Sequence, residues 1–289
     1  MKILTIIVTY NGNKWVDKCF TSLKQSSIPV DVIVLDNGST DGTINNIKNN
    51  FPEVELIETG ENLGFGKANN IGLKKVLDEN YDYAFLLNQD AWVEPDTIGK
   101  LTQISLKHPE YGILSPIHLA GSGEAIDRIF QNYLGVNFVT HFLSDLYLGK
   151  QKEHYVTKYA NAAAWLIPNK TLKTIGLFDL MFSHYGEDDD FVIRLHQAGL
   201  RLGLVPNSRI YHDRPQQTTR SDLFYKNEIS VLALKQAKHK NIAKHFLYRR
   251  IVAQYFTLYF TSFGRNKSIR RKIKIDKETL VFLKPLGKG

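Results

Sequence analysis

The chain has 289 residues, of which 43% are hydrophobic and 11% aromatic. This length fits one large domain or two small ones, and the composition excludes an intrinsically disordered protein. The one cysteine, Cys19, cannot form an internal disulfide, so we expect a reducing compartment such as the cytoplasm. The sequence shows neither a secretory signal nor a run of about 18 apolar residues, so we expect no membrane-spanning segment.

The net charge of +8 is unevenly distributed along the chain. From Lys235 to the end there are 15 Lys and Arg residues but 2 Asp and Glu residues, a balance of +13 that leaves the remainder at −5. Such a basic tail favours a polyanionic partner. Aromatic residues recur at helical spacing within residues 245–275, which favours a membrane-facing stripe over base stacking on nucleic acid. We predict peripheral membrane association through this stretch and no nucleic-acid partner; the alternative is a solubilising basic helix.

Strands and helices alternate through the first 90 residues. Continuous apolar runs predict strands over residues 2–9, 30–35, 54–57 and 83–87. Helical spacing of apolar residues predicts helices over residues 15–23, 43–50 and 67–77. Strands that alternate with crossover helices are typical of a parallel sheet in an α/β protein.

Polar residues close three of these strands. They are Thr9-Tyr10-Asn11, Asp36-Asn37 and Asn88-Gln89-Asp90. Parallel strands bring their carboxyl ends to one edge of the sheet, and ligands of such sheets bind beyond that edge. The sequence therefore predicts that these residues meet at one binding site.

The second half of the chain has a more mixed pattern. We predict helices over residues 95–108, 191–198 and 222–247, and strands over residues 112–119, 159–167 and 202–205. Residues 120–158 are rich in Gly, His and aromatic residues and show no clean period, which indicates loops or short strands.

Four consecutive carboxylates, Glu187 to Asp190, precede the apolar-periodic segment from Phe191. Adjacent acids repel one another, so an arrangement of this kind needs a compensating interaction. Acids are favoured at a helix N-terminus by the helix dipole, which offers a purely structural explanation. A functional explanation requires that these acids share a site with Asp90.

Four blocks in this order resemble family 2 glycosyltransferases. The opening block joins Thr5–Asn11 to Val32–Thr43, and the next is Asn62–Gly72. Leu86–Asp90 occupies the family's metal-binding acid position, and the block from Gly176 through Asp190 to Arg194 is similar to its acceptor-side block. The similarity covers roughly residues 3–230 and is greatest to the bacterial rhamnosyltransferase-like subgroup.

This resemblance implies an α/β fold of the GT-A type, with a mostly parallel central sheet flanked by helices. It implies a glycosyltransferase domain over residues 1–220, with a donor half over about 1–118 and an acceptor half over about 119–220. Residues 221–289 would form a C-terminal helical, basic extension.

The resemblance also implies the function. It implies an inverting glycosyltransferase that moves a sugar from a UDP- or dTDP-linked donor to a hydroxyl of a glycan or lipid-linked acceptor in surface polysaccharide synthesis. Such an enzyme would work in the cytoplasm, at the inner face of the cell membrane. The donor-binding residues it implies are Thr9, Tyr10, Asn11, Asp36, Asn37, Gly64, Lys67, Asn88, Gln89 and Asp90.

A divalent cation, Mg²⁺ or Mn²⁺, is the implied cofactor, because such ions neutralise the charge of a leaving diphosphate. Asp90 and His212 are the implied ligands. The family's first acid is replaced by Asn88 and the middle residue is Gln89, a departure that weakens the site.

The catalytic residues implied are Asp188, as the base that deprotonates the acceptor hydroxyl, and its neighbour Glu187. Asp190 would brace the helix start with Arg194, and Asp189 has no assigned role. Trp165, His184 and Tyr185 are expected on the acceptor side.

Two other functions remain open at this point. A nucleotidyltransferase has a similar α/β fold but needs a Gly-rich triphosphate loop with Arg and Lys, which the segment from Thr9 to Asn13 lacks. A non-catalytic nucleotide-binding protein would have no need of Asp188.

Overall fold

A computed structural model describes residues 1–180, 182 and 186–214 of the chain. The chain divides into two units, Met1–Ser183 with Glu187–Gln217 and His184–Gly186 with Thr218–Gly289. The description below concerns the first. The expected boundary near residue 220 and the expected helix over residues 222–247 fall outside the described residues and stay predictions.

The first half forms the alternating strands and helices that the sequence predicts. The strands are β1 (Ile3–Thr9), β2 (Asp31–Asp36), β3 (Glu55–Glu58) and β4 (Tyr83–Asn88). The helices are α1 (Asn13–Lys24), α2 (Thr43–Asn50) and α3 (Phe65–Asp78). Each lies within a few residues of its predicted position.

Alternate residues of β1 explain why this strand is apolar throughout. Leu4 and Ile6 pack into a core on the side of α3, whereas Ile3 and Ile7 pack into a second core on the side of α1. A strand covered on both faces has no solvent-facing position, so it reads as a continuous hydrophobic run.

The second half adds shorter strands and helices to this framework. The strands are β5 (Ala91–Val93), β6 (Tyr111–Ala120), β7 (Tyr155–Thr157), β8 (Ala164–Pro168) and β9 (Arg201–His212). The helices are α4 (Thr97–Lys107), α5 (Phe142–Tyr147), α6 (Asn169–Ile175) and α7 (Glu187–Gln197), with a 3-10 helix over Phe130–Leu134.

The strands form a single sheet in the order β3-β2-β1-β4-β8-β6-β9-β5, and β7 pairs with β9. The first four strands are parallel, β8 is antiparallel to both β4 and β6, and β6 is parallel to β9. The carboxyl ends of β1, β2, β4, β6 and β9 therefore lie at the same edge of the sheet. This edge is called the carboxyl edge below.

Three elements of the second half differ from prediction. Helix α7 begins at Glu187, so the four acids form its first turn rather than preceding it. Strand β8 begins at Ala164, several residues later than predicted. Strand β9 is continuous, although its pairing with β6 shifts between Val205 and Arg209. Pro206 lies in this irregularity because a proline cannot donate to the ladder.

Residues 120–158 contain two short helices as well as the strand β7, so they are more regular than their composition indicates. No helix within the described part of the chain is long and apolar enough to cross a membrane.

Candidate active site

The carboxyl edge brings together polar residues that are distant in the sequence. Thr9, Asp36 and Asn88 end three adjacent strands, and His212 ends β9. Asp90 lies just before β5, which is antiparallel to β9 and therefore starts at this edge. The convergence predicted from the strand order is present, and His212 belongs to it.

Asp36 organises the polypeptide around it. Its side chain is fully buried, and one carboxylate oxygen accepts hydrogen bonds from the hydroxyls of Thr9 at 2.7 Å and Ser39 at 2.6 Å. The other oxygen accepts from the backbone N–H groups of Gly38 at 3.1 Å and Ser39 at 2.8 Å. A ligand that contacts the Asp36 carboxylate directly would have to replace one of these four hydrogen bonds.

Asn37 and Asn11 hold the loops beside Asp36. The Asn37 N–H donates to the Thr9 carbonyl at 2.8 Å, and its amide approaches Asn62 Oδ1 at 3.3 Å. Asn11 has a φ of 49°, and its side-chain oxygen accepts from the Thr40 N–H at 2.8 Å. The loops after β1 and β2 are therefore tied to each other.

Gln89 fixes the end of β1. Its Oε1 accepts from the Tyr10 N–H at 2.9 Å, and its Nε2 donates to the Tyr10 carbonyl at 3.2 Å. A Cβ at Gly12 would lie 2.1 Å from Gln89 Oε1, so only glycine leaves room for this amide. The Tyr10 side chain, by contrast, is 48% exposed and can reach a ligand.

Helix α3 begins between the loops after β1 and β2 and the four acids of α7. Gly64 has a φ of 79°, a left-handed conformation that glycine adopts without strain, and Lys67 is exposed in the first turn. A Cβ at Gly66 would lie 3.4 Å from Cβ and Cγ of Glu187. Because α3 begins at the carboxyl edge, this contact brings the start of α7 to the same edge.

Asp90 and His212 form the candidate metal site. His212 Nε2 lies 3.2 Å from Asp90 Oδ1, and Asn88 Nδ2 lies 3.5 Å from the same nitrogen. Burial alone would raise the pKa of the Asp90 carboxyl, but the hydrogen bond and charge of His212 outweigh it and lower that pKa. Asp90 is therefore held as a carboxylate, the form that binds cations.

This donor set fits a cation that is shared with a diphosphate. Among the described residues no group of three or more His, Cys, Asp or Glu side chains could hold a metal ion. Mg²⁺ and similar ions are commonly bound through one or two protein ligands together with substrate phosphates and water. One carboxylate and one imidazole nitrogen fit that arrangement.

The four acids of the first turn of α7 have different surroundings. Asp190 is fully buried and accepts a hydrogen bond from Arg194 Nε at 2.8 Å, as the i, i+4 spacing predicts. Arg194 also donates to the carbonyls of Ile175 and Leu177, so it ties α7 to the end of α6. This pair therefore has a structural role. Glu187 is 6% exposed.

Asp188 contacts a residue that the sequence did not single out. Its Oδ2 accepts a hydrogen bond from the Tyr159 hydroxyl at 2.6 Å, and its Oδ1 accepts from the Asp189 N–H at 2.8 Å. Tyr159 opens the strand predicted over residues 159–167 but lies between β7 and β8 in the structure, and the sequence pattern did not indicate this contact.

The structure corrects the expectation for one of the three acceptor-side residues and does not describe the other two. Trp165 is fully buried on β8 and packs against Phe191, with ring centroids 6.0 Å apart, so it has no face on which a sugar could stack. It is a core residue. His184 and Tyr185 lie outside the described residues.

A comparison with family models places this site in a known context. The model of glycosyl transferase family 2 matches residues 5–174, which include most of β1, all of β2 to β4, Asp90 and most of α6. The chain belongs to glycosyl transferase family 2. The family resemblance drawn from the four blocks is thus confirmed, and the protein is a glycosyltransferase.

Curated relatives support the rhamnosyltransferase-like subgroup. The N-acetylglucosaminyl-diphospho-decaprenol L-rhamnosyltransferase of Mycobacterium tuberculosis is 26% identical over 236 residues, which cover 74% of this chain and 77% of the relative. The dTDP-rhamnosyl transferase RfbF of Shigella flexneri is 23% identical over 214 residues, which cover 73% of this chain and 68% of the relative.

Solved structures confirm the fold. The mannosyltransferase PcManGT of Pyrobaculum calidifontis, in complex with GDP-Man and Mn²⁺, matches with a TM-score of 0.60 at 16% identity, covering 96% of this chain and 85% of that one. S. aureus TarS 1–349 in complex with UDP matches with a TM-score of 0.58 at 18% identity, covering 96% and 77%. The chain therefore has the GT-A fold that the resemblance implied.

Proposed function

We propose that this glycosyltransferase inverts the anomeric centre of a UDP- or dTDP-linked sugar as it transfers the sugar to a hydroxyl of a glycan or lipid-linked acceptor. The observation that carries the proposal is the close packing of Gly66 against Glu187, where an added Cβ would lie 3.4 Å from the Glu187 side chain. Through it the acids of α7 share the carboxyl edge with Asp36 and Asp90. A base and a donor site at one edge are what transfer by direct displacement requires.

Asp188 is the proposed base. It takes the proton of the acceptor hydroxyl while the hydroxyl oxygen forms a bond to the anomeric carbon. The bond from that carbon to the diphosphate oxygen breaks on the opposite face, and its electron pair leaves with the nucleoside diphosphate. A carboxylate suits this role because it is ionised at neutral pH and can receive one proton. Glu187, the neighbouring buried acid, is proposed to contact the acceptor.

The donor is proposed to lie along the ends of β1, β2 and β4. Asp36 keeps Thr9 and the turn through Ser39 in place for the nucleoside. Tyr10, Asn11, Asn37 and the Asn88-Gln89-Asp90 segment line the same edge. At the start of α3, Gly64 allows close approach and Lys67 offers a cation to the diphosphate.

Asp90 and His212 would hold the Mg²⁺ or Mn²⁺ ion. When bound, such an ion neutralises negative charge on the leaving diphosphate. The 3.2 Å separation of Asp90 Oδ1 and His212 Nε2 supports this assignment, since one ion could contact both atoms.

The names of two relatives support the proposed kinds of donor and acceptor. One is named a dTDP-rhamnosyl transferase, and another acts on a decaprenol-linked sugar by its name. We infer from these names a place in surface polysaccharide synthesis. The proposed location is the cytoplasmic face of the cell membrane, contacted through the basic C-terminal stretch, which lies outside the described residues.

Substitution of Asp188 tests the proposal. Transfer is measured with the full chain against a panel of UDP- and dTDP-sugars, and binding of UDP and dTDP is measured by calorimetry. Asp188→Asn is expected to reduce transfer by about 10²- to 10⁴-fold, the usual contribution of a general base, while nucleotide binding stays within about twofold.

Asp189→Asn is the matched control, because it removes the adjacent acid of the same helical turn. It is expected to keep most of the transfer activity. Retained transfer in Asp188→Asn would remove Asp188 as the base, and lost nucleotide binding would move it to the donor site.

A further inference from the structure

Tyr159 is held rigidly by its own backbone and by its neighbours. The Thr157 hydroxyl contacts both the N–H of Tyr159 at 3.3 Å and its carbonyl at 3.0 Å. The preceding residue, Lys158, donates its N–H to the Phe138 carbonyl at 3.1 Å, and its own carbonyl lies 3.1 Å from His196 Nε2. The Tyr159 side chain therefore projects from a fixed backbone.

The Tyr159 ring belongs to an aromatic wall. It packs edge-on against Tyr133 with ring centroids 4.9 Å apart, and Tyr133 in turn packs edge-on against Phe130 and Phe138. Phe130 is fully buried and anchors this wall in the core. Both the direction and the depth of the Tyr159 hydroxyl are set by this packing.

That hydroxyl is a permanent donor to Asp188. Burial first, and then the nearby charges of Asp188 and Asp189, raise the pKa of the Tyr159 phenol well above its usual range, so it keeps its proton at all working pH values. The same effects raise the pKa of Tyr133 to about 12. A donor at 2.6 Å from an ionised carboxylate forms a charge-assisted bond that stabilises the ionised form.

Several other charged groups lie near this contact in the described part of the chain. Glu187, Asp189 and Asp190 share the helical turn of Asp188, and Asp190 is paired with Arg194. Asp127 and Arg214 act electrostatically on Tyr133 and bind each other. None of these groups replaces the phenol as a neutral donor.

We propose that Tyr159 is a positioning residue, which orients the Asp188 carboxylate and keeps it ionised for proton transfer. The inference rests on the proposed role of Asp188 as the base. It assigns a function to the segment before β8, which the family blocks do not include, and it predicts that the working pH range depends on one phenol.

Tyr159→Phe in the full chain tests the inference in two measurements. The first is a carbon-detected NMR titration of ¹³C-labelled Asp carboxyl groups without substrate, with the Asp188 signal assigned from Asp188→Asn. Loss of a donor to the charged form is expected to raise the Asp188 titration midpoint by about one pH unit. The second is the pH profile of kcat/KM with the UDP- or dTDP-sugar that the unmodified enzyme turns over, whose acid limb should move to higher pH by the same amount.

Tyr133→Phe is the control, since it removes a hydroxyl from the same wall and preserves the ring. It should leave both midpoints in place. Replacing Tyr159 with a fluorinated tyrosine keeps the hydroxyl, strengthens it as a donor and should move both midpoints to lower pH, which covers the case that Tyr159→Phe folds poorly.

The outcomes separate the inference from the proposed function. An NMR midpoint for Asp188 that stays unchanged in both Tyr159 variants overturns the positioning role, whatever the activity. A midpoint that moves while the acid limb of kcat/KM stays fixed overturns Asp188 as the base, and the positioning role with it.

Discussion

Asp90 and His212 meet through an Oδ1–Nε2 distance of 3.2 Å, which joins the start of β5 to the end of β9. We expect Asp90→Asn to weaken Mn²⁺ binding, measured by electron paramagnetic resonance with UDP or dTDP present, by on the order of tenfold or more. Asn88→Asp adds a carboxylate beside the His212 imidazole and should strengthen Mn²⁺ binding. Equal Mn²⁺ affinity in all three proteins would place the ion elsewhere.

Two threonines of β1 have opposite expected effects on stability. The Thr5 hydroxyl is buried and has no hydrogen-bond partner among the described residues, whereas the Thr9 hydroxyl donates to Asp36 at 2.7 Å. Thr5→Val should raise the free energy of unfolding by about 1 kcal/mol, because it removes an unsatisfied polar group. Thr9→Val should lower it by about 1–2 kcal/mol. Urea titration measures both, and a loss of stability in Thr5→Val would contradict the first expectation.

Gly72 allows α3 to pack closely on β1. A Cβ at this position would lie 2.7 Å from Ile6 Cγ2, so Gly72→Ala should cost about 1–3 kcal/mol of stability through overpacking. Gly99→Ala in α4 is the matched control, because its added Cβ would come no nearer than 3.3 Å, to the Ser27 hydroxyl. Thermal unfolding of the two variants compares them, and equal melting temperatures would show that α3 can move away from the sheet.

Asp41 makes stability near α2 dependent on pH. Asp41 is exposed; the slight loss of solvent around its carboxyl would raise the pKa, but hydrogen bonds from the Thr43 hydroxyl and from the backbone of Asn13 and Thr43 outweigh this and lower that pKa. A lowered pKa in the folded state means that the ionised form contributes stability above the unfolded pKa of about 4, and that this contribution is lost as the pH falls further. Wild type should therefore exceed Asp41→Asn in stability at pH 7, and the difference should shrink below about pH 4 in urea titrations.

The basic C-terminal stretch gives a prediction on membrane binding. Six Lys and Arg residues lie between Arg265 and Lys274. Each basic residue near an anionic surface contributes about 1 kcal/mol of attraction, so changing all six to Gln should sharply reduce co-sedimentation with anionic vesicles. Vesicles of neutral lipid serve as the control. Undiminished binding of the Gln variant to anionic vesicles would exclude this stretch as the contact.

The sequence alone predicts the strands of the central sheet and the polar residues at their ends. Strand β1 is covered on both faces, so its hydrophobicity is continuous and its polar end at Thr9 is conspicuous. The convergence of Asp36, Asn88 and Asp90 followed from chain direction alone. Only the family resemblance predicts that His212 lies with them, because its position depends on β9, a strand that Pro206 interrupts in the sequence.

Contacts between distant side chains could not be read in this way. The bond between Tyr159 and Asp188 joins the start of the strand predicted over residues 159–167 to α7, and strand periodicity does not indicate which distant helix a side chain meets. The same limit explains Trp165, whose aromatic ring fits a sugar site and a core equally well until burial is known. The sequence predicts a start for α7 that is four residues too late, because an acidic first turn has no apolar residues to mark it.

The amide of Gln89 makes the same pair of bonds to Tyr10 that a neighbouring strand would make, so it extends the ladder between β1 and β4 by one rung beyond their last paired residues. An acid at position 89 would keep the acceptor and lose the donor. An acid at position 89 would add negative charge for a cation but would loosen the end of β1 beside the proposed nucleotide site. A carboxylate at position 89 would therefore gain cation affinity only by losing the rigidity of the β1 end. Asn88 is the better position at which to engineer a stronger ion site.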